Sequence, residues 1–337
     1  MEHLHINNLW INGLLQAFAQ LGLDTDALGK GIEGISDGKL AQGHQLDLVD
    51  ARTLWHRAVK QCDDPLLGVN VGLIKNPRAS GVLMPILLHS PTTRAALEHV
   101  AQFQTLISES GYYRIHNPSP DSNTSIEYEY IPATSSVSIN PQQVMSVITS
   151  TLMMVKTVSN DRINADKLYV PPGMDTAAIS NALACDVETR EGNLAIRIPS
   201  ADLDTPIVGR DEHLYQLSLG YAEGLLRAKR AGQHLIDQIK SAIDIEQPAQ
   251  VSIEDVSAQL DLHHRGLQRN LKEQGTSFRQ LKESLLKERT LELLVSQRLD
   301  VDSIAEQLGY SDASTFHRAF KAWFDVTPKQ FREQIGS

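Results

Sequence analysis

A chain of 337 residues exceeds the usual size of one domain, so two are expected. With 41% hydrophobic and 21% charged residues it is neither collagen-like nor disordered, and a net charge of −10 argues against nucleic-acid binding by bulk charge alone. The two cysteines, Cys62 and Cys185, match no disulfide or zinc spacing and favour a reducing, cytoplasmic compartment. The first residues lack a signal-peptide pattern, and the longest apolar run, residues 81–89, is too short to span a bilayer.

In chain order, residues 47–62 set Ala51, Leu54, Trp55, Ala58 and Cys62 at helical spacing, which makes Cys62 a core thiol. Residues 90–110 predict another helix, with Ser90 as N-cap, Pro91 at the first position, and Ala96, Val100, Phe103 and Ile107 as the buried face. The period then changes. In residues 125–131 Ile126, Tyr128 and Tyr130 share one face while Glu127 and Glu129 take the other, a strand that forms a hairpin with residues 112–116 across the turn-rich 117–124. After Pro141 a long helix aligns Val144, Ile148, Thr151, Val155 and Val158, and residues 166–170 and 193–198 read as short strands.

Helix and strand alternate irregularly, without a repeated strand, Gly-rich turn and helix, so the N-terminal domain is expected to be α+β rather than a dinucleotide-binding sheet. Residues 211–230 predict a helix with Leu214, Leu217, Tyr221 and Leu225 near heptad spacing. That stripe suits core packing or a dimer seam equally, and Gly220 and Gly224 would admit a second helix closely. The basic segment 227–233 (RAKRAGQ) marks the expected boundary between a domain of residues 1–230 and one of residues 233–337. Everything beyond it reads as helix.

Residues 252–272 overlay residues 300–321. Ile253, Val256, Leu260 and Leu262 match Val301, Ile304, Leu308 and Tyr310. One residue later in register, Leu267, Arg269, Leu271 and Lys272 match Phe316, Arg318, Phe320 and Lys321. Each copy is a helix, a tight turn and a second helix, so an all-α C-terminal domain is expected with two helix-turn-helix units, about 252–274 and 301–324. Gly309 suits the second turn, where positive φ is needed; Asp261 stands at that place in the first. Residues 278–297 predict the long helix that joins the units, about 30 Å, close to one turn of B-DNA.

Opposite the apolar stripes, Arg265, Gln268, Arg269 and Lys272 recur at i, i+3, i+4 and i+7, and so do Ser314, His317, Arg318 and Lys321. Arg pairs with guanine and Gln with adenine in the major groove, while Lys and Ser suit phosphate oxygens. Residues 263–289 carry seven basic and three acidic side chains, a local basic face in an acidic chain.

These residues carry a resemblance. Residues 266–278 (GLQRNLKEQGTSF) and 304–332 (IAEQLGYSDASTFHRAFKAWFDVTPKQFR) resemble the DNA-binding domain of AraC-family transcription regulators. Residues 54–72, 80–103 and 198–214 resemble more loosely the effector-binding and dimerisation domain of one branch of that family. The resemblance implies a bacterial regulator that binds double-stranded promoter DNA and a small-molecule effector, as a homodimer that meets RNA polymerase. It needs no cofactor and no membrane, and associates with the nucleoid when bound to DNA. The family's base-contacting positions fall on Arg265, Gln268 and Arg269, and on Ser314, Thr315 and Arg318 with His317 adjacent. Ser257 and Asp261 stand where the family often has Ala and Gly; Leu286 and Thr290 replace a common Arg and Ala.

Rival readings are weaker. His317 and Arg318 diverge by about 100° on a helix and have no patterned nucleophile or carboxylate, so no catalytic residue is assigned. His263 and His264 at a turn fit a solvated surface better than a metal site, and no phosphate-binding loop or hydrolase motif occurs. The remaining alternative fuses an enzyme or a reactive-cysteine sensor to the DNA-binding half, but Cys185 has only Arg190 nearby to activate it. The residues that would hold the effector are not legible.

Overall fold

The computed structural model describes residues 4–74, 77–116, 125–243, 247–295 and 299–335. The chain divides into two compact units, Glu2–Leu226 and Arg227–Ser337. The first is mixed α and β, the second helical, as the sequence predicts.

The N-terminal unit begins with β1 (His5–Asn7), α1 (Asn8–Gln20), α2 (Thr25–Gly29), the two-residue strands β2 (Ile35–Ser36) and β3 (Lys39–Leu40), β4 (Gln45–Asp47), α3 (Leu48–Gln61) and α4 (Leu67–Ile74). Antiparallel pairs β1–β4 and β2–β3 accompany α1 and α3, whose Ile11, Leu15, Phe18, Leu54 and Trp55 form one core. Cys62 caps α3 and is half-buried against that core.

Next come α5 (Leu83–His89), α6 (Thr93–Phe103), β5 (Gly111–His116), β6 (Ser125–Pro132), α7 (Pro141–Ser159), β7 (Lys167–Val170), α8 (Thr176–Leu183), β8 (Asp186–Thr189) and β9 (Ala195–Pro199). The strands make one sheet, ordered β5-β6-β9-β7-β8, antiparallel except for β7 with β8. Ile126, Tyr128 and Tyr130 do share the buried face, packed under Val144, Ile148, Leu152 and Val155 of α7. The opposite face holds charge. There Glu127, although buried, pairs with Arg190 at 3.0 Å and His116 at 3.3 Å. The turn expected at residues 117–124 lies outside the described residues.

Two expectations need correction. The helix predicted from Ser90 starts at Thr93, capped by the Thr92 hydroxyl, which accepts from the Ala95 amide at 3.2 Å. Ser90 instead ends α5, donating to the Ile86 carbonyl at 2.7 Å. The buried Ser90 hydroxyl is taken up by the end of α5, and Thr92, extended at φ −145° and ψ 164°, is the next residue placed to cap.

The helix expected to end near residue 230 is α9 (Glu212–Ile243), helical through the whole of 227–233. A lone Gly232 costs a helix only about 1 kcal/mol, less than Ile239, Ala242 and Ile243 gain by burial in the second unit's core. Within the first unit, α9 buries Tyr215, Ala222 and Leu226 against Leu83, Leu87, Phe103 and Ile107. The stripe of Leu214, Leu217, Tyr221 and Leu225 therefore faces outward, with Leu217 57% and Tyr221 63% exposed.

The second unit continues with α10 (Ile253–Gln259), α11 (His264–Glu273), α12 (Phe278–Val295), α13 (Val301–Gln307), α14 (Ala313–Phe324) and α15 (Pro328–Ile335). Its interior is two cores: Val256, Leu267, Leu271 and Leu281 in one, Ile304, Leu308, Phe316 and Phe320 in the other. The joining helix serves both, giving Leu281 and Leu285 to the first and Leu286 and Leu294 to the second. At 18 residues it is about 27 Å long; residues 296 and 297, included in the expected helix, lie outside the described residues. No helix among the described residues is long and apolar enough to cross a membrane.

Candidate nucleic-acid interface

Both turns are built identically. After α10 the Leu262 amide donates to the Ser257 carbonyl at 2.9 Å and Asp261 to Ala258 at 3.3 Å; after α13 Tyr310 donates to Ala305 and Gly309 to Glu306, each at 2.9 Å. This six-to-one, five-to-two pairing requires a left-handed residue at its centre. Asp261 holds φ +52° and Gly309 φ +83°. Gly309 has a second reason to be glycine: a Cβ there would lie 2.5 Å from the Gln247 Cβ and 2.8 Å from its Cα. The adjoining segment is fastened by the Ala249 amide to the Leu308 carbonyl at 2.8 Å and by the Lys282 ammonium to the Ala249 and Val251 carbonyls at 2.7 Å. Burial lowers the Lys282 pKa.

The second helix of each unit is anchored from below. Leu267 and Leu271 fix α11, Phe316 and Phe320 fix α14, all fully buried or nearly so. This leaves Arg265, Gln268, Arg269 and Lys272 exposed along one side of α11, and Ser314, Arg318 and Lys321 exposed along α14. Thr315 and His317 are half-buried; the His317 ring packs edge-on to Phe316 with centroids 6.1 Å apart. Arg269 is lightly held by Glu273 at 3.8 Å, an exposed pair that a phosphate or base would displace at little cost.

Each helix start is capped. The His263 ring accepts from the Arg265 amide at 3.3 Å, so the His263–His264 pair is a helix start. Asp312 caps α14, accepting from the Thr315 amide at 2.7 Å and the Thr315 hydroxyl at 2.8 Å. Those bonds hold its carboxyl below the usual range. In turn the Arg318 guanidinium donates to the Thr315 hydroxyl at 3.3 Å. Asp312, Thr315 and Arg318 thus form one hydrogen-bonded chain, which the sequence pattern did not disclose. The only available signal was an acidic residue three before a threonine at a helix start.

The family departures have structural counterparts. Leu286 is core, and the buried Thr290 hydroxyl donates to the Leu286 carbonyl at 2.6 Å. The Ser257 hydroxyl, by contrast, is buried with no partner. In the other unit, burial raises the Cys185 pKa, opposing thiolate formation.

Residues 256–334 match the family described as a helix-turn-helix domain, and residues 22–207 match the arabinose-binding domain of AraC transcription regulator, N-terminal. The chain is 21% identical over 325 residues to the ornithine utilization regulator of Pseudomonas aeruginosa, covering 96% of this chain and 95% of that protein. It is 29% identical over 146 residues to an uncharacterized HTH-type transcriptional regulator of Mycobacterium tuberculosis, a match spanning 43% of this chain and 42% of the relative. Against the crystal structure of the transcriptional regulator CdpR from Pseudomonas aeruginosa the TM-score is 0.46 at 20% identity, over 84% of this chain and 91% of that one.

Proposed function

Because this chain belongs to the AraC family of transcription regulators, we propose that it is a sequence-specific, effector-modulated DNA-binding protein of the cytoplasm and not an enzyme. Residues 1–230 bind a small-molecule effector and dimerise; residues 233–337 bind promoter DNA and bring RNA polymerase to it or keep it away. The observation that carries this reading is the twice-used turn, which is followed in each unit by an anchored helix with a polar row at the same four positions.

On this reading Arg265, Gln268 and Arg269 of α11 and Ser314, His317 and Arg318 of α14 approach base edges, Thr315 faces the same groove with its hydroxyl shared between Asp312 and Arg318, and Lys272 and Lys321 meet phosphates. The length of α12, about 27 Å, supports engagement of neighbouring major grooves by one protomer. The outward stripe of α9 supports a homodimer seam, with Gly220 and Gly224 leaving open space for close approach. An effector would act by binding one arrangement of the dimer better than the other.

Footprinting on DNA flanking the protein's own gene, at several salt concentrations, tests the proposal. Two protected half-sites about one helical turn apart are expected, with affinity falling steeply as salt rises. Arg269→Ala and Arg318→Ala should each cost roughly 1–3 kcal/mol at the cognate site and relax base preference, whereas Lys272→Ala weakens all sequences alike. Unaltered promoter affinity in both arginine variants would refute the residue assignment.

A further inference from the structure

The N-terminal unit contains a partly open cavity of about 70 Å³, lined by side chains of α1, α5, α6, α7, β5 and the segment leading into β5. Its walls are mainly apolar, with Trp10, Leu83, Val100, Ile107, Val147 and Met154 contributing, and no Asp, Glu, Lys, Arg or His among the described residues lines it.

Most polar groups in the lining already have hydrogen-bond partners. The Tyr113 and Thr151 hydroxyls are 2.7 Å apart, Ser108 donates to Ser110 at 2.7 Å, and Ser150 donates to the Ser146 carbonyl at 2.8 Å. Gln104 differs. Only 8% exposed, its carboxamide lines the cavity and its Oε1 has no hydrogen-bond partner. A buried acceptor left unpaired costs about 1–3 kcal/mol, and rotating the carboxamide offers either its oxygen or its N–H groups to whatever fills the space.

The cavity also sits where occupancy can be felt. Leu83, Leu87 and Ile107 belong to the same packed cluster as Tyr215, Ala222 and Leu226 of α9, with Trp10, Val100 and Met154 at its margin. A guest that spreads these side chains presses on the buried side of the helix whose outer side carries the exposed apolar stripe.

We propose that this cavity is the effector site, and that it takes a compact neutral molecule with an apolar body and one hydroxyl or amide-like group that pairs with Gln104. The assignment rests on the effector-modulated reading above. A cavity of ~150 Å³ houses the six carbons of a benzene ring, so this one takes in roughly three non-hydrogen atoms, and the rest of a longer guest extends through its open side. Absence of charge in the walls selects against carboxylates and amines, since an ion would lose its hydration with nothing to replace it.

The full chain labelled with 5-fluorotryptophan has three reporters, Trp10, Trp55 and Trp323, of which Trp10 lines the cavity. Titration with 1-butanol should shift the Trp10 fluorine line saturably and leave the other two in place, while butylammonium has no effect. A plain apolar void prefers 1-chlorobutane to 1-butanol. The wild type should bind 1-butanol at least as well, and Gln104→Leu should move the ratio roughly tenfold towards 1-chlorobutane. Ser150→Leu, which fills the space, should abolish the shift while unmoved Trp55 and Trp323 lines report an intact fold.

A silent Trp10 line, equal response to butylammonium, or a ratio unchanged by Gln104→Leu overturns the assignment. The same samples are footprinted. A lost footprint sinks the regulator reading whatever Trp10 does, and a silent Trp10 line with an intact footprint sinks the cavity assignment alone.

Discussion

Gly309 and Gly275 both adopt left-handed backbone at the end of a helix in the second unit, at φ +83° and +72°, but their surroundings differ. A Cβ on Gly275 meets nothing within 4 Å, whereas one on Gly309 meets the Gln247 Cβ, Cα and carbonyl at 2.5, 2.8 and 2.9 Å. Gly275→Ala should therefore cost the conformation alone, about 1–2 kcal/mol. Gly309→Ala adds displacement of backbone that cannot rotate away, about 1–3 kcal/mol more. Native-state hydrogen exchange on the full chain separates these costs, because the two halves of the unit have separate cores. Amides of α13 and α14 should lose protection in Gly309→Ala by roughly tenfold per 1.4 kcal/mol, with α10 and α11 less affected. Equal losses for the two variants would refute the claim that packing against Gln247, and not φ alone, demands glycine at the second turn.

Ser257→Ala removes a buried hydroxyl without a partner and should stabilise α10 and its core by about 1 kcal/mol, read as a higher urea midpoint at unchanged slope. The three cap carboxyls Asp255, Asp300 and Asp312 all have folded pKa values held below the ordinary Asp value by bonds they accept at helix starts: Ser252 for the first, Ser303 for the second, Thr315 for the third. Their stabilisation is thus complete above the unfolded pKa of about 4 and fades as pH falls through the lower folded values. Helix content of the second unit should decline on acidification through that window, and less so in a triple Asp→Asn variant, which keeps the caps without the titration. Placing a carboxylate in the outer stripe of α9, as Leu217→Glu or Tyr221→Glu, should weaken self-association roughly a hundredfold by sedimentation while leaving thermal unfolding nearly unchanged; a dimer of undiminished affinity refutes the seam.

Much of the second unit was legible because its information is local. Leu267 with Leu271 and Phe316 with Phe320 state the helix faces by spacing alone, and the repeat places one turn over the other. The first unit shows where such reasoning stops. On α9 two apolar rows alternate, Leu214, Leu217, Tyr221 and Leu225 on one side and Tyr215, Ala222 and Leu226 on the other; periodicity detects both and cannot say which one the α5–α6 pair covers. Arg52 lay inside a correctly predicted helix, yet only the fold discloses that its buried guanidinium donates to the Ala133 and Val137 carbonyls. The cavity was invisible for the same reason, its walls coming from segments as far apart as Trp10 and Met154. Thr315 was expected among the base contacts, but its hydroxyl is already engaged with Asp312 and Arg318, which competes with that use.

Helix α12, rooted at one end in each core, fixes a calliper setting. Adding one residue to it would advance α14 by about 1.5 Å and swing it by about 100°, whereas one added base pair advances the groove by roughly 3.4 Å and turns it by only about 35°. The two screws have incommensurate threads, so no single insertion in the protein compensates a single insertion in an operator. Half-site separation should consequently be conserved among targets even where their base sequences drift.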